Sequence, residues 1–288
     1  MAVYKRTYKS YSGPLTATWS RFLILPRYSW PRLFQSKFLL MYLVACFFYP
    51  LGAAAFIYLS HNLSFLTTFN IPSANLFAVN GQFFLVYCTV QGAMAYLLTA
   101  FVGPSLVAPD LANNSLPLYL GRPFSRAEYV LGKMTVLGGL LSLITWVPGL
   151  ILFAIQASEA GWEWTRANFW LSGSIFAGLL LWVVVLSLIA LAMSAWVKWR
   201  IAAGALLLGV FFVLAGFGAA INATMRTQYG YLIDLTQLIA AVWTHLFRVE
   251  RETGTGLEPF EACVSLAVFC SLCLWLLARK LRAFEVVK

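Results

Sequence analysis

The side chains able to do chemistry are few, and their spacing is poor for it. Five cysteines, Cys46, Cys88, Cys263, Cys270 and Cys273, all fall inside long apolar runs. Cys270 and Cys273 form a C-x-x-C on one helical face with Cys263 two turns away, a spacing open to a soft metal. No His or Met recurs at a matching interval. Free cysteine is commonly a small apolar packing residue, and packing is the preferred reading. The two histidines, His61 and His245, stand at the edges of apolar runs, and no base accompanies Ser172 or Ser174. A nucleophile–base pair within an apolar segment, which intramembrane proteolysis needs, is missing from the sequence. So is a G-x-x-x-x-G-K-[ST] phosphate loop. The expectation is a chain that is not an enzyme and has no catalytic, cofactor or metal site. Any use of ATP requires another chain to bind it.

The elements that carry these residues follow from composition. Of 288 residues, 61% are hydrophobic and 10% charged. Soluble domains carry about 25% charged residues. A chain this apolar could not cover its own surface in water, which excludes a soluble globular enzyme and a disordered chain. The apolar runs are continuous rather than alternating, so helices and not barrel strands are expected. Six stretches reach the roughly 20 residues that a spanning helix needs. They are Phe38–Leu59, Phe83–Val107, Val130–Ile155, Phe169–Trp196, Ile201–Ile221 and Phe260–Ala278. The fold class is all-α polytopic membrane protein.

Twenty Lys and Arg against ten Asp and Glu give a net charge of +10. The bases lie between apolar runs, which fits orientation in a membrane and not nucleic-acid binding. All but Arg166, Arg226, Arg248 and Arg251 fall in the N-terminal arm, the two–three loop, the four–five turn and the tail. Both termini are therefore expected in the cytoplasm. The divisions are a basic amphipathic arm over 1–37, a six-span domain over 38–278 and a tail over 279–288. Within the domain, a cytoplasmic loop covers about 108–129 and an outer loop about 222–259. The first run reads as an uncleaved first span.

Between Leu15 and Phe34 the arm mixes aromatic and aliphatic residues with Arg21, Arg27 and Arg32. Pro26 and Pro31 are expected to interrupt it, leaving one or two short amphipathic pieces at the interface with the arginines near lipid phosphates. In the outer loop, Leu232, Leu235, Ile239, Val242 and Leu246 recur at helical steps. That stretch is too short and polar for a seventh span and reads as a helix resting on, or dipping into, the outer surface. No Lys, Arg, Asp or Glu lies deep in a span; Lys133 and Glu261 sit near ends. This argues against an ion-coupled carrier. Pro50 and Pro148 fall inside spans one and three, where kinks are expected.

The segment Val107–Lys133 is rich in structural punctuation. Pro109 and Asp110 suit the entry to a short helix, Pro117, Gly121 and Pro123 break it, and Ser125 with Glu128 forms a capping box. Its order of Ser115-Leu116, Leu118-Tyr119-Leu120, Arg122-Pro123-Phe124-Ser125-Arg126 and Gly132-Lys133 resembles the first cytoplasmic loop of ABC-2 type transporter permeases. Asn113-Asn114 departs from that pattern, where a charged residue and Gly are more usual. The resemblance implies a coupling helix that docks on a separate ATPase subunit. Its contacts would be Asp110, Leu111, Asn114, Leu116, Leu118, Tyr119, Arg122, Pro123, Ser125 and Arg126, with Arg21, Arg27 and Arg32 in the interfacial arm.

It further implies two copies of a cytoplasmic ABC ATPase that bind ATP and Mg, and a second permease copy in a homodimer or heterodimer. Membrane lipids are the remaining partners, and the bacterial cytoplasmic (inner) membrane is the expected location. Apolar spans suit export of lipid-linked, amphipathic or hydrophobic cargo. The competing readings are a non-transporting membrane scaffold or assembly protein and, behind it, an ATP-independent carrier.

Overall fold

A computed structural model of the chain describes residues 17–62, 78–113, 115, 125–197, 199–249 and 256–281. Among the described residues the apolar runs fold as helices, six of them long and apolar enough to cross a membrane, and the chain is a multi-pass membrane protein. A 3-10 turn, Thr18–Leu23, leads into α1, Ile24–Phe34, and span one is α2, Lys37–His61. Span two consists of α3, Gly81–Val102, and α4, Pro104–Ala112. Span three consists of α5, Arg126–Ile144, and α6, Trp146–Asn168. Spans four and five are α7, Trp170–Trp196, and α8, Arg200–Met225. A second 3-10 turn, Tyr229–Leu232, precedes α9, Leu235–Leu246, and α10, Pro259–Lys280, is span six.

Span four is the axis. Its helix α7 is apolar on every side and packs against α3, α4, α5, α6, α8, α9 and α10. That all-round hydrophobicity is what a helix enclosed by others requires. Its most apolar window is 72% buried, against 28% for spans one and five and 22% for span six. Those three spans keep broad apolar faces outward, which only lipid or another protein can cover.

Several local expectations need correction. Pro31 does not break α1, which runs through it, while Pro26 sits in the first turn where no helical donor is missed. Span two does not run straight into the loop. Gly103 and Pro104 divide it, because proline at the first helical position starts a new helix at low cost. Asp110 therefore closes α4 in its last turn and does not open a helix. Span three bends at Thr145 (φ −104°, ψ −93°), three residues before Pro148. Beyond Ala160 it turns again at Gly161, whose φ of 85° only glycine adopts readily. Thr165 Oγ1 then donates back to the Gly161 carbonyl at 2.9 Å.

Between spans five and six, α9 packs into the bundle. Asp234 caps α9 through the N–H groups of Thr236 and Gln237, and Leu235, Leu238, Ile239, Ala241, Val242 and Trp243 are buried. Rings and cations meet at both ends of the bundle. Arg248 lies 4.5 Å from the Trp170 ring, and at the opposite end Arg279 lies 4.3 Å from Trp275 and Lys280 5.3 Å from Trp196. Tryptophan and base pairs of this kind suit the two membrane–water interfaces.

Candidate functional site

The loop between spans two and three is rooted on both sides by polar side chains inside the bundle. On the span-two side, a Cβ on Gly103 would lie 2.7 Å from the Cβ of Ala190, so only glycine lets α4 approach α7 this closely. Ser194 of α7 then enters the first turn of α4. Its Oγ accepts the N–H of Val107 at 3.2 Å and of Ala108 at 2.9 Å, and its own proton goes to the Pro104 carbonyl at 3.1 Å. One hydroxyl thus replaces a step of the helical ladder and fastens α4 to the central helix.

Ser194→Ala would remove three buried hydrogen bonds between α4 and α7, at a cost of about 1–3 kcal/mol. Thermal unfolding in detergent is expected to show a lower midpoint. Ser194→Thr, which keeps the hydroxyl, should lose less.

At the other end of α4 stands a buried ion pair. Lys133 Nζ of α5 lies 2.8 Å from Asp110 Oδ2, with the two side chains only 8% and 18% exposed. The hydroxyl of Tyr129, one turn before Lys133 on α5, donates to the same oxygen at 2.7 Å. The ammonium also sits 5.5 Å from the Tyr129 ring centroid. Ser115 finishes α4 by donating both its N–H and its hydroxyl to the Asp110 carbonyl, each at 2.9 Å. On the span-three side, Ser125 Oγ accepts the Glu128 N–H at 3.2 Å while the Glu128 carboxylate accepts the Ser125 N–H, completing the expected capping box. Both roots of the loop are therefore fixed in position relative to spans two, three and four.

Of the residues implied as contacts, Leu111 is half-buried against the core, and Ser125 and Arg126 are exposed at the start of α5. Asp110 faces inward to Lys133 and Tyr129. Asn114, Leu116, Leu118, Tyr119, Arg122 and Pro123 lie outside the described residues.

The arm completes this end of the molecule. Helix α1 lies along α5, where Trp30 Nε1 donates to the Val136 carbonyl at 3.1 Å. A Cβ on Gly132 would meet Leu25 Cδ1 at 2.6 Å and the Phe22 carbonyl at 2.8 Å, and one on Gly139 would meet the Trp30 ring at 2.6 Å. Gly132, Val136 and Gly139 share one face of α5, and that face is the seat for α1. Arg27 and Arg32 are exposed and Arg21 half-buried. Arg27 borders an apolar groove of 470 Å³ together with Leu23, Pro26, Trp30, Phe34 and Thr135. Gly132→Val is expected to unseat α1, and tryptic cleavage after Arg27 and Arg32 in detergent should then quicken while cleavage after Arg248, exposed at the opposite end of the bundle, stays unchanged.

The opposite end is closed by α9. Trp243 Nε1 donates to the Gly178 carbonyl at 2.9 Å, and its ring fills the space that a Cβ on Gly92 would need, 2.6 Å away. Trp182 packs edge-on against it at 6.2 Å and donates to the Gly92 carbonyl at 3.0 Å. Ser174 donates to the Leu246 carbonyl at 2.8 Å. Helix α9 is thereby fastened to spans two and four.

Cys46, Cys88 and Cys273 are buried, Cys270 is half-buried and Cys263 exposed, all as free thiols. Among the described residues no three His, Cys, Asp or Glu side chains gather where a metal could bind. No protein-family model matches the sequence, and no curated protein does.

Proposed function

We propose that this chain is the membrane-spanning permease subunit of an ATP-driven transporter of the ABC-2 type. A separate cytoplasmic ATPase would dock on the loop between spans two and three. The observation that supports this reading is the rooting of that loop. The Asp110–Lys133 pair, the Tyr129 bond and the Ser194 bridge tie its ends to spans two, three and four, so a push on the loop moves helices and is not lost in slack. A loop with no mechanical duty gains little from buried polar anchors, since each must offset its own desolvation. The exposed Arg126 and the loop's Arg122 would face the ATPase and could make charge-assisted bonds to its carboxylates. Asp110 acts here as an internal brace, not as a contact.

In this reading both termini and α4 lie on the cytoplasmic side of a bacterial inner membrane. Two permease copies work with two ATPase copies, which bind ATP and Mg. The apolar outward faces of spans one, five and six suit contact with a second copy and with lipid. Export of lipid-linked or amphipathic cargo fits spans whose middles hold no Lys, Arg, Asp or Glu among the described residues, the Asp110–Lys133 pair lying at the loop end, because ATP would supply the driving force.

Affinity purification in mild detergent tests the proposal. An ATPase recovered in equal amount, and lost on Arg122→Glu with Arg126→Glu, is the expected result. Purification of the intact, folded chain without an ATPase would instead favour a membrane scaffold.

A further inference from the structure

Proline lacks the N–H that a helix sends back four residues. In α2, Pro50 leaves the Cys46 carbonyl without its helical donor, and in span three Pro148 does the same to Ile144. Those two carbonyls are the ones to which a single side chain donates. Gln91 Nε2 of α3 lies 3.0 Å from the Cys46 carbonyl and 2.8 Å from that of Ile144. The amide has two hydrogens, and both are used. Gln91 is fully buried, as is Tyr87 one turn earlier. The Tyr87 hydroxyl donates at 2.7 Å to the Thr145 carbonyl, where the helix bends and the helical donor, the Gly149 N–H, stands off at 3.3 Å.

We infer that Gln91 is a pin that couples the proline hinge of span one to the proline hinge of span three. Neither hinge can open alone without pulling its carbonyl off the shared amide and leaving a buried polar group unpaired. The two proline sites therefore move together about span two, with Tyr87 holding the rim of the bend at Thr145. An apolar side chain at position 91 would fill the same space and leave the hinges independent. The pin belongs to the bundle and operates whatever partner the loop meets.

Hydrogen–deuterium exchange of the full-length chain in detergent tests the coupling, read at residues 47–54 and 145–152. Pro50→Ala restores the missing N–H and stiffens span one. With Gln91 present, exchange at 145–152 is expected to slow severalfold as well. In a Gln91→Leu background the same change should leave 145–152 unmoved. An equal response at 145–152 in both backgrounds overturns the pin. Should Gln91→Leu fail to fold, Pro50→Ala and Pro148→Ala, each made with Gln91 intact, carry the test. Each is expected to slow exchange at the other's proline site, and independence of the two sites overturns the inference.

Discussion

Removing either member of the Asp110–Lys133 pair is expected to destabilise the chain by about 3 kcal/mol, near the lower end for buried ion pairs because Asp110 keeps some exposure. Asp110→Asn leaves the ammonium of Lys133 nearly enclosed without a counter-charge, beside a neutral amide and the Tyr129 ring. Lys133→Met leaves the carboxylate with one hydroxyl donor. Both are expected to lower the thermal midpoint in detergent and to speed proteolysis of the two–three loop. The double change, Asp110→Asn with Lys133→Met, removes both charges, so its cost should fall well short of the sum of the two singles. A double-mutant cycle measures that shortfall. Additive losses would mean that the 2.8 Å contact contributes nothing. Tyr129→Phe, which deletes only a hydroxyl, should cost about 1 kcal/mol.

Trp243→Ala is the second large effect. The indole is almost wholly enclosed between Gly92, Gly178 and Trp182, and its truncation opens a cavity that these backbone-lined walls cannot collapse to fill. Losses of about 3–5 kcal/mol are typical for such truncations. The Gly178 carbonyl also loses its donor. Trp243→Phe keeps most of the packing and gives up the hydrogen bond, so about 1–2 kcal/mol is expected. The reciprocal change, Gly92→Val, pushes atoms into the same space and should resemble Trp243→Ala in thermal unfolding. If Trp243→Ala unfolded at the parental temperature, α9 would contribute nothing to the closure of this end.

The six spans were legible because lipid leaves a helix no choice. It must run about 20 residues, and those residues must be apolar. The bend near Pro148 was legible for the same kind of reason, since proline announces the missing donor, whereas α2 runs unbroken through Pro50. What answers the carbonyls freed by the two prolines was not legible. Gln91 reads as a stray polar residue until the backbones of α2 and span three are placed on either side of it. Asp110 and Lys133 each stood out, one at the foot of the loop and one near the end of a span, yet pairing them requires knowing that α4 and α5 both pack on α7, which brings the two side chains together.

The division at Gly103 and Pro104 leaves no mark in hydropathy, because the apolar run continues past it to Val107. Ser194 is hidden among the small residues of α7, and only the approach of α4 gives its hydroxyl a task. Nothing in the helical spacing ranks Trp243 above its neighbour Val242. Its size matters only against glycines on two other helices. The apolar contact residues implied by the resemblance, Leu116, Leu118 and Tyr119, fall outside the described residues, so that part of the reading rests on sequence.

Ser194 and Ser174 lie on the same helix, twenty residues and about 30 Å apart along its axis. The first grips α4 beside the loop and the second grips the end of α9. An α-helix resists stretching far more than tilting, so a displacement of α4 at one end of the bundle would be expected to reach α9 at the other through this rod. The lever needs no charge in its middle and no relay of side chains, only two hydroxyl grips and a stiff apolar shaft between them.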